Sequence, residues 1–246
     1  MKYCLLFSRK DIASLNILDK ISNYDVKDCI IDVVDVDLVS CERVDERINA
    51  DIFVFASRHQ SSSGKKCLLV HVPGNWGKAD QGGEEKKLCV APPLHMALAL
   101  SFLKKYSNGR FEVTQECTHH GPYLKKPCFF IEIGSDESAW VLEEAGEVVA
   151  KSLQELILSK PKRMETAVGV GGPHYMPNFS KLSNVAFGHV CPKYLLSELT
   201  PIMLKQALEN TCGGADSIYL DWKGMGTEKS RIVKMLENEC INYKKI

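Results

Sequence analysis

The stretch DIFVFA at residues 51–56 is a run of aromatic and aliphatic side chains that carries a charge only at its first position. A short apolar run bounded by polar residues is typical of a buried strand. Similar runs recur along the chain. They predict strands over Lys2–Phe7, Cys29–Val34, Asp51–Ala56, Cys67–Val72, Phe111–Glu116, Cys128–Ile133, Thr166–Val170, Val185–Val190 and Ser217–Asp221.

Amphipathic segments lie between these runs. They predict helices over Asp11–Ile21, Pro93–Tyr106, Ser138–Leu158, Thr200–Asn210 and Thr227–Tyr243. Alternating strands and helices are typical of an α/β fold with a largely parallel or mixed sheet. No change of composition marks a linker, so we expect a single domain over residues 1–246 with loop insertions. The longest irregular segment, Gly74–Lys87, is rich in glycine and charge, and a loop of this length is often functional.

Composition excludes several classes of protein. The 246 residues are 45% hydrophobic, which is enough to build a core and excludes a disordered chain. The 31 basic and 31 acidic residues cancel, which argues against a surface coated with positive charge for binding nucleic acid. No run approaches the roughly 20 apolar residues of a membrane-spanning helix. The N-terminus is predicted to be a strand rather than a signal peptide, so we expect a cytoplasmic protein.

Histidines are the most informative residues of the sequence. Most of them lie at the end of a predicted strand or directly after one. The seven histidines of the chain are His59, His71, His95, His119, His120, His174 and His189. Ligands of α/β sheets bind where the carboxyl ends of strands converge. Imidazole is suited both to proton transfer near neutral pH and to metal binding. The pattern therefore predicts a shared hydrolytic or metal site, although each histidine could instead make a local hydrogen bond in its loop.

Two segments carry most of this prediction. Residues 116–122, ECTHHGP, place Glu116 close to His119 and His120, with Cys117 beside them. Neighbouring residues of an extended chain point to opposite sides, so both histidines can face one metal only if the chain turns there, and the Gly-Pro pair predicts such a turn. Residues 169–175, GVGGPHY, form a glycine-rich turn that ends on His174.

Other candidate segments have more than one interpretation. Ser57, Arg58 and His59 follow a predicted strand and form either an anion site or a solvated loop. Lys223 precedes the last predicted helix and could hold an anion there, or lie in an ordinary loop. The chain contains no HExxH, P-loop or GxSxG motif. This disfavours the interpretations as a zinc protease, a nucleotide-binding protein or a serine hydrolase.

Seven motifs in order resemble those of one family. They are FASRHQS, LLVHVPGNW, APPLHMA, ECTHHGP, GVGGPHY, GHVCPKY and DWKGM, between about Ala56 and Met225. Together they resemble the D-aminoacyl-tRNA deacylases of the archaeal and plant type. The resemblance implies hydrolysis of the ester between a D-amino acid and the acceptor end of tRNA, with zinc as cofactor and neither DNA nor a membrane as partner. It also implies a three-layer α/β/α fold, similar to the phosphorylase and peptidyl-tRNA hydrolase group.

Roles for the candidate residues follow from that resemblance as hypotheses. We expect zinc to be bound by His119, His174 and His189, which would leave one position open for the attacking water. His120 or Glu116 would act as the base, and His71 would assist. The expected substrate contacts are Asn75, Ser57, Arg58, His59 and Lys223.

Three alternatives stay open at this stage. A metal-free hydrolase could use His71 and Asn75 as polar guides. A non-catalytic RNA-binding module is disfavoured by the neutral charge and the 8% aromatic content. A metal-dependent peptidase or amidase could share the scaffold. The sequence also leaves open which D-amino acids are accepted, how many metals bind, and the oligomeric state, with a monomer as one option.

Overall fold

A computed structural model describes residues 1–27 and 29–246. Its larger sheet has the strand order β2-β1-β3-β6-β4-β5. The strands are β1 (Tyr3–Ser8), β2 (Cys29–Val34), β3 (Ile52–Gln60), β4 (Cys67–His71), β5 (Glu112–Gln115) and β6 (Cys128–Ser135). The neighbouring pairs are parallel except β4 with β6, which run antiparallel. The predicted α/β fold with a mixed, mostly parallel sheet is confirmed.

A second, smaller sheet was not distinguished in the sequence. Its order is β10-β9-β7-β8, with β7 (Glu165–Val170), β8 (Val185–Cys191), β9 (Ser217–Leu220) and β10 (Tyr243–Lys245) all parallel. Strand β10 lies where the sequence predicted the end of a helix. The helix stops earlier, because Cys240 adopts the left-handed conformation with φ 54°, which commonly follows a helix end.

Helices surround the two sheets. They are α1 (Ile12–Ile21), α2 (Val44–Arg47), α3 (Pro93–Ser107), α4 (Glu137–Trp140), α5 (Glu143–Leu158), α6 (Pro201–Glu209) and α7 (Lys229–Asn238), with short 3₁₀ turns at Leu38–Ser40, Phe179–Lys181, Lys193–Glu198 and Gly226–Glu228. Helices α1 and α3 both pack against α5, and α3 also contacts β8. No helix within residues 1–27 and 29–246 is both long and apolar enough to span a membrane.

Two further predicted elements need correction. The strand predicted over Asp51–Ala56 continues to Gln60, so Ser57, Arg58 and His59 lie inside β3 and do not form a turn. The helix predicted over Ser138–Leu158 is broken into α4 and α5 because Leu142 is extended, with φ −66° and ψ 112°. The other predicted strands are confirmed, and none of their bounds differs from the prediction by more than two residues.

The chain that follows β5 joins the two sheets. The side-chain amide of Gln115 donates to the carbonyl of Phe187 at 3.0 Å, and the amide of Thr118 donates to the carbonyl of Val190 at 3.0 Å. Both acceptors belong to β8. Residues 115–120 therefore run between the larger and the smaller sheet, where side chains from both can meet. That the whole chain forms one domain stays a prediction.

Candidate active site and metal centre

Five segments bring titratable side chains to the junction of the sheets. His59 and Glu132 lie on the paired strands β3 and β6, and His71 is the last residue of β4. The loop after β5 contributes residues 116–120, and the glycine turn after β7 contributes His174. Three groups of potential ligand atoms result, each with its atoms within 4.8 Å of one another: His71 with His119 and His120, Cys117 with His119 and His174, and His59 with Glu116 and Glu132.

The first group consists of histidines alone. The ring centroid of His71 lies 4.2 Å from that of His119 and 4.8 Å from that of His120, and the last two are 4.4 Å apart. Adjacent residues can share this cluster because His120 adopts a left-handed φ of 43°. The chain therefore turns at His120, directly before the Gly-Pro pair at which the sequence predicted a turn.

Hydrogen bonds orient the three rings. His119 Nδ1 lies 2.9 Å from the carbonyl of Cys117, and His120 Nδ1 lies 2.6 Å from the carbonyl of Gly121. His71 Nδ1 lies 3.4 Å from the carbonyl of the next residue, Val72. A carbonyl can only accept, so each Nδ1 carries the proton and each Nε2 carries a lone pair. His71 Nε2 is buried without a hydrogen-bond partner. A backbone carbonyl on the second ring nitrogen is typical of metal-ligating histidines.

Burial keeps these imidazoles neutral. It lowers the pKa of His71 and of His120 to about 4, and it lowers the pKa of His119 well below the ordinary value, with the neighbouring imidazoles adding to the effect. A metal ion requires the neutral form of histidine, because the protonated ring nitrogen has no lone pair. The donor set therefore fits a cation such as zinc without first losing protons near neutral pH.

A carboxylate pair lies beside the histidines. Glu116 Oε1 is 3.0 Å from His174 Nε2 and 3.3 Å from His59 Nδ1. Burial alone would raise the pKa of Glu116, but the surrounding imidazoles, led by His174, outweigh it and hold the pKa below its ordinary value. Burial also lowers the pKa of His174, yet Cys117 and Glu116 outweigh it and raise the pKa to about 10. Without a metal, Glu116 and His174 therefore form an ion pair.

Three residues of the site were not among the candidates predicted from the sequence. Glu132 accepts a hydrogen bond of 2.6 Å from the hydroxyl of Ser57, and burial together with Glu116 raises its pKa to about 7. The hydroxyl of Tyr175 lies 2.9 Å from His59 Nε2, and that of Tyr194 lies 2.9 Å from His174 Nδ1. A carboxylate in the middle of the apolar strand CFFIEI was the available signal for Glu132. Tyr175 and Tyr194 are the last residues of the motifs GVGGPHY and GHVCPKY, and no pattern in the sequence assigned a role to either of them.

Other sequence candidates do not reach this cluster. His189, expected as a zinc ligand, lies within hydrogen-bond distance of protein atoms at both ring nitrogens, the Thr118 hydroxyl at 3.2 Å and the carbonyl of Cys89 at 3.0 Å. Arg58 directs its guanidinium away, toward the carbonyl of Lys10 at 3.2 Å. Lys223 is exposed. The geometry therefore favours a ligand set without His189.

Asn75, expected to contact substrate, uses its side chain to stabilise the loop that contains it. Its side-chain amide donates to the carbonyl of Gly82 at 2.9 Å and to that of Glu84 at 3.3 Å. Both acceptors belong to the same Gly74–Lys87 loop, so these bonds fix the shape of the loop from within. The loop forms one wall of a cavity of about 430 Å³ that also contacts His119, His120 and Tyr194. The cavity thus gives access to the histidine cluster.

The loop is also fixed by a close approach at Gly82. A methyl group there would lie 1.9 Å from the carbonyl oxygen of Val39, and φ is +74°. We expect Gly82→Ala to lower the free energy of unfolding by about 2–5 kcal/mol, because left-handed strain and overpacking both destabilise the variant. Gly213→Ala is the matched control, since Gly213 has a φ of +83° but a methyl group added there would have no neighbouring atom within 4 Å. In urea denaturation, the control should lose only the free energy of unfolding that the left-handed strain costs, about 1–2 kcal/mol. Equal losses of stability in the two variants would contradict the close contact at Gly82.

Comparisons with known proteins agree with one another. The profile of a family described as D-aminoacyl-tRNA deacylase matches residues 46–244. A D-aminoacyl-tRNA deacylase from Methanocaldococcus jannaschii is 36% identical over the full length of both chains, and one from Pyrococcus furiosus is 34% identical over 96% of each. The crystal structure of a conserved protein of unknown function superposes with a TM-score of 0.91 at 32% identity, covering 100% of this chain and 95% of that one.

Proposed function

The chain belongs to the D-aminoacyl-tRNA deacylase family, and from that premise we propose that it hydrolyses the ester of D-aminoacyl-tRNA with a metal-activated water at the histidine cluster. The products are a free D-amino acid and a tRNA that can be charged again. The observation that supports the metal is the trio of buried His71 and half-buried His119 and His120. Every Nδ1 in the trio contacts a backbone carbonyl, and the Nε2 of His71 has no hydrogen-bond partner.

The proposed metal is zinc, held by the three Nε2 atoms. Three histidines are a common ligand set for catalytic zinc, which keeps a further position open. Zinc bound there would act as a Lewis acid that makes water a competent nucleophile at neutral pH. This set replaces the one expected from the sequence, since His189 is engaged elsewhere and His174 pairs with Glu116. It retains His119 and adds His71 and His120.

Proton transfer is assigned to Glu116 and His174. Glu116 is ionised and buried, so its carboxylate can accept the proton that the attacking water loses. His174 Nε2 lies 3.0 Å from Glu116 Oε1. This imidazole can then deliver a proton to the ribose oxygen that leaves as the ester breaks. Ser57 and His59 hold Glu132 and Glu116 in place, respectively, so their proposed role is to position the acid groups and not to contact substrate.

The aminoacyl end of tRNA is proposed to enter the 430 Å³ cavity beside the loop. A volume of this size lies within the range of small-molecule sites. Tyr194 stands at its edge with 54% of its surface exposed, where its ring can stack on the terminal adenine. Because Asn75 holds the wall of this cavity by hydrogen bonds, the shape of the cavity is set before substrate binds.

The direct test is hydrolysis of D-tyrosyl-tRNA and L-tyrosyl-tRNA, each with and without a chelator. We expect fast release of tyrosine from the D-ester, little from the L-ester, and loss of activity after chelation that added Zn²⁺ restores. Equal hydrolysis of both esters, or of neither, would contradict the proposed activity. Activity that survives exhaustive chelation would instead support a metal-free mechanism.

The rival mechanisms have less support from the geometry. A metal-free reaction guided by His71 and Asn75 would need the amide of Asn75, which is already bonded to two loop carbonyls. An amidase or peptidase would be recognised by turnover of D-tyrosine amide at a rate comparable to that of the tRNA ester. A non-catalytic RNA-binding module would bind tRNA and release no amino acid.

A further inference from the structure

The carboxyl ends of the smaller sheet form one edge beside the proposed active site. Its strands are parallel, and Cys191, Val170, Leu220 and Lys245 are aligned in register at their ends. The segments that follow β7, β8 and β9 therefore leave the sheet in the same direction. Strand β7 lies between β9 and β8. The segments that follow β8 and β9 therefore lie on either side of the turn after β7 that carries His174.

Lysines occupy this edge. Lys193 follows β8, Lys223 follows β9, Lys245 ends β10, and Lys229 begins α7. We call these four residues the lysine edge. Lys193, Lys223 and Lys245 are exposed, and across residues 1–27 and 29–246 no ion pair with a carboxylate involves any of the four. Their positive charges are therefore available to a partner.

Trp222 fixes part of the lysine edge. The ammonium of Lys245 lies 3.8 Å from the centroid of the indole ring, and that of Lys229 lies 4.5 Å from it. Cation–π contacts of this kind restrict the two side chains while leaving their charge in place. The backbone reinforces the arrangement, because the amide of Trp222 donates to the carbonyl of Ile246 at 3.0 Å.

The lysine edge is connected to the active site at its other end. The amide of Lys193 donates to the carbonyl of Gly172 at 2.8 Å, within the turn that carries His174. Its neighbour Tyr194 lies within hydrogen-bond distance of His174 and borders the cavity. Lys193 is therefore the direct chain neighbour of a residue that lines the cavity.

We propose that the lysine edge binds the phosphate backbone of the tRNA acceptor stem, an inference that rests on the proposed function. Three strand spacings separate β8 from β10, a width of about 14 Å, enough to contact several successive phosphates. A chain of zero net charge needs such a local concentration of unpaired cations to hold a polyanion. The contacts are to phosphates, so the edge is expected to bind all tRNAs alike.

The test compares two triple variants on two substrates. One removes the edge charges with Lys193→Gln, Lys223→Gln and Lys245→Gln. The matched control, Lys160→Gln, Lys162→Gln and Arg163→Gln, removes three exposed cations that precede β7, at the opposite edge of the same sheet. The substrates are D-tyrosyl-tRNA and 3′-O-D-tyrosyl-adenosine, which keeps the ester and the terminal nucleoside but lacks the stem.

For the edge variant we expect KM for the tRNA ester to rise about 10- to 100-fold with kcat nearly unchanged, and the slope of log KM against log salt to fall by about 3. Hydrolysis of the adenosine ester should match the wild type, and the control variant should match it on both substrates. An unchanged KM and salt slope for tRNA in the edge variant would overturn the proposal. If the wild type fails on both esters, the proposed function itself has failed.

Discussion

Replacing His119 with alanine is expected to abolish zinc binding and to lower kcat for D-tyrosyl-tRNA by at least about 1,000-fold, because water without a metal loses most of its reactivity at neutral pH. His119 belongs to two of the three ligand groups and lies between His71 and His174. The same result is expected for His71→Ala and His120→Ala. Zinc per chain, measured by inductively coupled plasma mass spectrometry, and single-turnover deacylation are the two readouts.

His189→Gln separates the two possible ligand sets. His189 contacts the Thr118 hydroxyl and the Cys89 carbonyl, so this variant should lose stability yet keep its zinc and most of its activity. His95→Gln, on α3 and outside the cluster, is a second control. Full zinc occupancy in the His71 and His120 variants, together with loss of zinc in His189→Gln, would refute the proposed ligands and favour the set expected from the sequence.

Glu116→Gln is expected to lower kcat by about 10²- to 10⁴-fold, the usual contribution of a general base, while zinc content stays at the wild-type level. The substitution keeps the shape of the side chain but removes the carboxylate that accepts a proton and pairs with His174. Equal losses in kcat and in kcat/KM are expected, because the charge acts in the transition state and not in substrate binding.

Glu112→Gln is the matched control for this prediction. Glu112 is the first residue of β5, four residues before Glu116, but its carboxylate is exposed and pairs with Lys65. It should leave both zinc and kcat unchanged. Wild-type kcat in Glu116→Gln would remove Glu116 from the mechanism, and a variant that also loses zinc would show that the carboxylate supports the metal instead.

Sequence patterns were sufficient for most of the secondary structure. Buried strands such as DIFVFA and CFFIEI lie in apolar surroundings on both faces, so their composition identifies them without further context. Errors occurred where polar residues continue a strand, as at Ser57–His59, and where one extended residue, Leu142, breaks a helix. The two sheets could not be separated, because pairing depends on contacts between residues far apart in the chain.

The site was predicted to a similar degree. Strand ends marked His71, and the motifs ECTHHGP and GVGGPHY marked Glu116, His119, His120 and His174. Periodicity could not distinguish His189 from them, since it also lies near the end of a strand. The difference is local: Thr118 and Cys89 occupy both of its ring nitrogens. Hydrogen-bond partners that arrive from other elements leave no trace in the segment itself.

By itself, the sequence determined the α/β class, the family and the group of histidines at strand ends, because each of these depends on short-range patterns of side chains. Only the tertiary structure decided which imidazoles have a free Nε2, that Asn75 holds a loop, and that Glu116 is an ionised partner of His174. These properties depend on burial and on partners from distant segments. Long-range packing sets both, and the same packing left the lysine edge unpaired beside the active site.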